Sequence, residues 1–297
     1  MRFGGHETFP VREGWIYKGL SLINADPEGF NDPNVADELG VGRNMAKSIR
    51  YWLLATGLAT NEPSDKTPKR KKLVVSRLGE TIYKRDRYCL QLGTWGALHV
   101  NMLNQHSYAK AWQWFFNRYN EQRFDRVTAS AAFERFVQRH ERRPPATKTL
   151  QRDVACLLSC YAAPVPSEAA DPEDASDSPV RRLGLITLFR DSNVYRRNEP
   201  NVAELPPELL GYALARSGIT DETVPLREAC FYDGGPGRAF QLRLNGFLDW
   251  VEQAEELLPG VRVVGSAGER RIQLDQLTSA EWLESYYSRV GAVSAAA

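Results

Sequence analysis

The chain has 297 residues, 42% of them hydrophobic, and its 38 Lys and Arg nearly balance its 37 Asp and Glu. It is long enough for two domains that each bury a core. No run approaches a membrane span, the first six residues form no signal peptide, and the scattered Cys89, Cys156, Cys160 and Cys230 make neither a disulfide scaffold nor a zinc cage, so the expected setting is the reducing cytoplasm.

Near the N-terminus Gly4 and Gly5 stand beside His6 and Glu7, where glycine permits a positive-φ turn or a close backbone approach. Trp15, Ile16, Leu20 and Ile23 then mark the buried face of a first helix. Asp32-Pro33 is a start signal for a short helix through Leu39, because Pro at the first helical position loses no hydrogen bond. Gly40-Val41-Gly42 supplies a tight turn, and a second helix is expected over residues 43–56 with Gly57 as its left-handed cap. On that helix Arg43, Lys47 and Arg50 share one stripe, while Met45, Ile49, Trp52 and Leu53 lie roughly opposite. A DNA-reading helix needs this division, with Arg, Lys and the neighbouring Asn44 turned towards phosphates and base edges. A packing helix with a solvated basic face shows it too.

A polar loop over residues 61–68 leads into a short strand. Lys69, Arg70, Lys71 and Lys72, with Arg77 just beyond, fall where the wing of a winged helix meets the DNA backbone. Residues 83–161 read as helical and aromatic-rich. His99 and His106 are nearly aligned on one helix, but no carboxylate lies at helical spacing beside them, which favours buried, hydrogen-bonded histidines over a metal or acid-base pair. Trp112, Trp114, Phe115 and Phe116 read as core ahead of a base-stacking platform. Cys156 and Cys160 share an apolar helix face and read as packing. Pro144-Pro145 ends one helix, and Thr147 or Thr149 can cap the next, which carries Arg152 and Asp153; these two read first as an ion pair.

Residues 164–180 are acidic and proline-rich and are expected to be a flexible linker. Beyond it come short strands near 183–186 and 194–195, a helix over 206–216 and a longer helix over 238–258 with Phe240, Leu244, Phe247, Val251 and Leu258 on one face. A hairpin from 261–264 and 271–274 follows. Gly234-Gly235-Pro236-Gly237 lacks the Lys of a phosphate loop.

The expected fold is mainly α with small β wings. A winged helix-turn-helix covers 1–85, a helical region packed on it covers 86–163, the linker covers 164–180, a C-terminal winged-helix-like domain covers 181–290, and 291–297 form a disordered tail. Residues 1–160 carry 25 Lys and Arg against 16 Asp and Glu, and the remainder 13 against 21. A basic half suits a polyanion, and an acidic half can limit non-specific binding or dock on the basic one.

Several collinear stretches resemble the SspB family of single-stranded DNA phosphorothioation systems. They are FGGHETFPVREGW from Phe3, VGRNMAKSIRYWLLATGL from Val41, LGETIY from Leu78, TWGALH from Thr94, WQWFFN from Trp112, TLQRDVACLL from Thr149 and SPVRRLGLI from Ser178. The resemblance covers most of the first 190 residues; the C-terminal third matches only in general pattern. Around residues 87–100 the family's acidic positions are replaced here by DRYCLQLGTWGALHV, which removes candidate metal ligands. The resemblance implies a DNA-binding nickase subunit, or alternatively a non-enzymatic adaptor or regulator that positions the sulfur-transfer enzymes. It also implies DNA, a cysteine desulfurase, an ATP-pyrophosphatase-like sulfur transferase and an ATPase as partners. A homodimer is left open.

Phosphodiester cleavage needs an activated nucleophile, charge stabilisation and a leaving-group acid, often organised by a divalent ion such as Mg or Mn. No common nuclease signature occurs. The remaining candidates are His6 as acid or base, Glu7 as ligand or orienter and Arg12 against the phosphate, with Asp153 second; the same His6 and Glu7 could instead tie the N-terminal segment onto the core.

Overall fold

The computed structural model describes residues 3–66, 69–105, 107–165, 178–219, 221–266 and 269–296. Helix α1 (Trp15–Ala25) buries Trp15, Ile16, Leu20 and Ile23 at helical spacing, as the sequence requires. Its Gly19 lies so close to α3 (Arg43–Ala55) that a Cβ there would meet Ile49 at 2.8 Å. Between them, α2 (Val35–Glu38) ends in a turn through Gly40 at φ 60°. Helix α3 buries Ala46, Ile49, Trp52 and Leu53, and Gly57 follows at φ 75°.

Strands β1 (Ala59–Pro63) and β2 (Lys71–Val75) form an antiparallel hairpin with Ala59 opposite Val75. The first strand thus extends into the stretch expected to be loop, whose Thr67 and Pro68 lie outside the described residues. The Leu73 amide donates to the Pro27 carbonyl at 3.0 Å, pinning the hairpin to the chain ahead of α2. Helix α4 (Arg77–Arg85) starts at Ser76, whose hydroxyl accepts from the Gly79 amide.

Helix α5 (Leu92–Asn104) is the centre of the molecule, buried at every position from Gly93 to Leu103. A helix apolar all round must be enclosed on all sides. Helix α6 (Lys110–Asn117) inserts Trp112, Trp114, Phe115 and Phe116 into this core, where they pack edge-to-face. His99 is buried in a hydrogen-bonded setting, while His106 lies outside the described residues.

Next come β3 (Arg123–Asp125), α7 (Arg126–His140), α8 (Thr147–Tyr161), β4 (Ala162–Pro164), β5 (Ile186–Phe189) and β6 (Val194–Arg197), with sheet order β3-β6-β5-β4. The division anticipated at residue 164 falls inside this sheet. Strand β4 pairs parallel with β5, and β6 returns to pair with β3. Most of the acidic linker, residues 166–177, lies outside the described residues.

The remainder comprises α9 (Glu208–Ser217), β7 (Thr223–Pro225), α10 (Leu226–Phe231), α11 (Pro236–Ala239), α12 (Leu244–Leu257), β8 (Val261–Ser266), β9 (Glu269–Leu274) and α13 (Ser279–Ala296). The single helix anticipated over 238–258 is two. Gln241 at φ 56° breaks it, and the Leu242 amide turns back to the Gly237 carbonyl at 2.9 Å. Phe240 and Phe247 are buried on both sides of the break, so the apolar pattern runs through it. The tail expected to be disordered is helical to Ala296, in keeping with alanine's high helix propensity.

One connection order recurs. Strand β3 leads into α7 and α8 and pairs with β6, the second strand of the β5-β6 hairpin; β7 leads into α10 and α12 and pairs with β9, the second strand of β8-β9. The Pro27 bond to β2 gives the N-terminal unit the same arrangement. The molecule is therefore mainly α, with three small sheets among the described residues. Helix α13 returns to the centre, where the Tyr286 hydroxyl accepts from the Gly93 amide and Tyr287 meets Thr94 at 2.7 Å. No helix among the described residues is long and apolar enough to cross a membrane.

Candidate nucleic-acid interface and a buried histidine-aspartate pair

Helix α3 turns Arg43, Asn44 and Lys47 to solvent, opposite the side that buries Ile49, Trp52 and Leu53. Lys47 donates to the Asn44 side chain at 3.3 Å. Arg50, expected on the same stripe, is half-buried and donates to Asn61 Oδ1 at 2.9 Å and to the Lys71 carbonyl, so it braces the hairpin against α3. Lys69, Arg70 and Lys71 are exposed at the hairpin. Arg70 donates to the Asn31 carbonyl, and Lys72 pairs with Asp65 at 2.6 Å, which raises the Lys72 pKa. Arg77 is exposed on α4, on the side of Glu281 of α13, whose carboxyl is held low chiefly by the Thr278 hydroxyl and to a lesser degree by Arg77. Arg43, Asn44, Lys47, Lys69, Arg70, Lys71 and Arg77 are thus exposed, while Arg50 and Lys72 are half-buried and held by Asn61 and Asp65.

The two expected catalytic residues His6 and Asp153 meet, but in the interior. His6 is 1% exposed and Asp153 4%. The Thr8 amide donates to His6 Nδ1 at 3.0 Å, so that nitrogen carries no proton; Nε2 does, and donates to Asp153 Oδ1 at 2.7 Å. The same oxygen accepts from the Gly4 amide at 2.8 Å, and the imidazole lies edge-on to Tyr51 and Trp112. With both ring nitrogens engaged and the ring enclosed, His6 has no face to offer a substrate. The pair fastens the N-terminal segment to α8. The Arg152-Asp153 ion pair anticipated from sequence does not form: adjacent helical residues point about 100° apart, and Arg152 is exposed while Asp153 is buried.

Glu7 is half-buried and Arg12 lies over the Phe9 and Trp15 rings, 5.6 Å from each. Glu7 and Thr8 have φ of 50° and 70°, in a turn closed by the Phe9 amide on the His6 carbonyl. Both central residues are left-handed, a conformation usually given to Asn-Gly, so the backbone here holds strain against the buried His6 anchor.

Among the described residues no three His, Cys, Asp or Glu side chains converge as a cage for a metal ion. Asp153 gives one carboxylate oxygen, Oδ1, to both His6 and the Gly4 amide. All four cysteines are free and buried. Burial raises the thiol pKa of Cys89 and Cys156 and that of Cys230 to about 11, which keeps these thiols protonated and poor nucleophiles.

Sequence reasoning missed a second basic surface on α7 and α8, where Arg126, Lys148 and Arg152 are exposed around a groove of about 410 Å³. The signal was present in Gln122-Arg123-Phe124-Asp125-Arg126, a short strand running into a helix, but its partner strand lies some 70 residues onward.

The family described as a protein of unknown function (DUF4007) matches residues 3–287. No curated protein matches the chain. Among solved structures, the chain is similar to one described as magnesium ion-bound SspB, at 24% identity and TM-score 0.85 over 97% of this chain and 88% of that one. It is similar to a second SspB crystal structure at 25% identity and TM-score 0.84, with the same coverage. The resemblance to SspB read from the sequence motifs is supported by this likeness across nearly the whole chain.

Proposed function

The chain belongs to the DUF4007 family, and from this membership and its likeness to SspB we propose that it is a DNA-binding subunit of a DNA phosphorothioate-modification and defence system, nicking the backbone at the site of sulfur incorporation. The observation that carries the DNA-binding half is α3, which presents Arg43, Asn44 and Lys47 outward after a tight turn and is followed by a hairpin exposing Lys69 and Lys71. In a winged helix those positions are the recognition helix and the wing. DNA is the direct partner. A cysteine desulfurase, an ATP-pyrophosphatase-like sulfur transferase and an ATPase complete the system.

The nicking half rests on the resemblance to SspB, and the geometry constrains which groups can carry it. His6 and Asp153 are enclosed, and of the four expected catalytic residues Glu7 and Arg12 are the two that reach solvent. The strained turn at Glu7 is the feature that favours chemistry at this end of the molecule. The enclosed His6-Asp153 pair favours the other reading, a non-enzymatic adaptor that positions the sulfur-transfer enzymes on DNA.

Supercoiled plasmid incubated with the protein and Mg or Mn separates the two. The nickase reading expects open circles from the wild type and from Asp153→Asn, whose amide oxygen still accepts from His6 and Gly4, and closed circles from a folded Glu7→Gln. Plasmid that stays closed with the wild type while the protein binds it leaves the adaptor. Loss of nicking in a folded Asp153→Asn would contradict the structural role given to that carboxylate.

A further inference from the structure

Helices α7 and α8 occupy, in the central unit, the positions that α2 and α3 occupy in the N-terminal one: two consecutive helices ahead of a hairpin. Their outer surface is strongly basic. Arg126 and Arg139 on α7, Arg142 and Arg143 in the connection, and Lys148 and Arg152 on α8 are all exposed. None has a carboxylate within ion-pair distance among the described residues.

The carboxylates of the two helices and their caps are few, and each has a partner. Asp125 caps α7 by accepting from the Thr128 amide at 2.8 Å, Glu134 accepts from the Thr147 hydroxyl, Glu141 faces Lys110, and Asp153 is buried with His6. On the N-terminal unit, by contrast, Arg50, Arg70 and Lys72 are held by protein partners. On α7-α8 the exposed cations Arg126, Arg139, Arg142, Arg143, Lys148 and Arg152 outnumber the three carboxylates outside the interior, Asp125, Glu134 and Glu141.

The shape fits a backbone-tracking contact. The groove of about 410 Å³ between the helices is lined by three cations, Arg126, Lys148 and Arg152, against one carboxylate, Glu134, together with the small residues Ser130, Ala131 and Ala155. Small residues beside cations let a phosphate approach the helix surface closely, and Gln151 adds a neutral donor. The turn of the β5-β6 hairpin adds exposed Arg190 to the same unit.

We infer that the α7-α8 face is a second DNA-contacting surface, which takes the phosphate backbone of a duplex alongside the contact made by α3 and its hairpin. This rests on the DNA-binding reading above and deepens it, because two units of one rigid chain would then span more than one stretch of backbone.

The test is fluorescence anisotropy of the full-length protein on a duplex oligonucleotide over a range of salt. In the triple variant Arg126→Ala/Lys148→Ala/Arg152→Ala, affinity should fall tenfold or more at low salt. The log-log salt slope should shrink by about 0.9 per lost phosphate contact, about 2.7 for three. All three side chains are exposed, so the melting temperature should hold; Lys148→Arg/Arg152→Lys, which keeps the charges, should retain the wild-type slope. A wild-type slope in the folded triple variant would overturn the second surface and leave the α3 contact standing. A wild type that binds no duplex at all would remove the functional reading together with this one.

Discussion

His99 is fully enclosed, its Nε2 donating to the Ala239 carbonyl at 2.8 Å and its Nδ1 accepting from the Tyr161 hydroxyl at 2.7 Å. Burial pushes its pKa down to about 4. The folded protein therefore holds this ring neutral, while the unfolded chain takes up a proton below about pH 6.5. The stability it contributes is present above that pH and is lost as pH falls through the window from about 6.5 to 4. Urea unfolding at pH 7 and pH 5 should show the drop, of order 2 kcal/mol across those two values, and His99→Gln should flatten that part of the profile. A wild type equally stable at both would contradict the assignment. Buried, hydrogen-bonded histidine was legible for His99 because no carboxylate lies at helical spacing beside it. The bond between His6 and Asp153 was not, because 147 residues separate them and nothing local in either stretch marks the other. The residue types were right for chemistry, and only their enclosure assigns them to the fold.

Helix α13 closes the molecule through one well-formed pair. The Arg289 guanidinium donates to both oxygens of Glu208 at 2.6 and 2.9 Å, and the Glu208 side chain is 1% exposed. Removing the donor strands a buried carboxylate, so Arg289→Ala should cost about 2 kcal/mol in urea unfolding, with Arg289→Lys recovering part of it. No change would mean that water replaces the guanidinium and that α13 is held by its buried Trp282, Leu283, Tyr286 and Tyr287 and the Arg85-Glu284 pair. Elements governed by local signals were readable in advance: α1 from its apolar spacing, α3 from its glycine turns, and the β8-β9 hairpin from its flanking strands. Elements fixed at long range were not. Strand β3 exists because β6 pairs with it, and the break between α11 and α12 is hidden by apolar residues that pack inward on both sides. For the small-residue tail, polarity and size were the wrong guide, and alanine's helix propensity the right one.

Over the whole chain the net charge is +1, so attraction to a polyanion depends on where the charges lie. Exposed Lys and Arg of residues 1–160 include Arg43 and Lys47 of α3, Lys69 and Lys71 of its hairpin, and Arg126, Lys148 and Arg152 of α7-α8. Central α5 and returning α13 hold the units to one core, which lets separate basic faces act on the same ligand without a flexible joint between them. Electrostatic contact with several phosphates of a DNA duplex is therefore the central expectation. Measuring wild-type binding to duplex DNA as a function of salt tests this most directly. It predicts a linear fall of log affinity with log salt at a slope steeper than about −3, equivalent to more than three neutralised phosphates. Binding that is absent at low salt, or that does not change with salt, would contradict it.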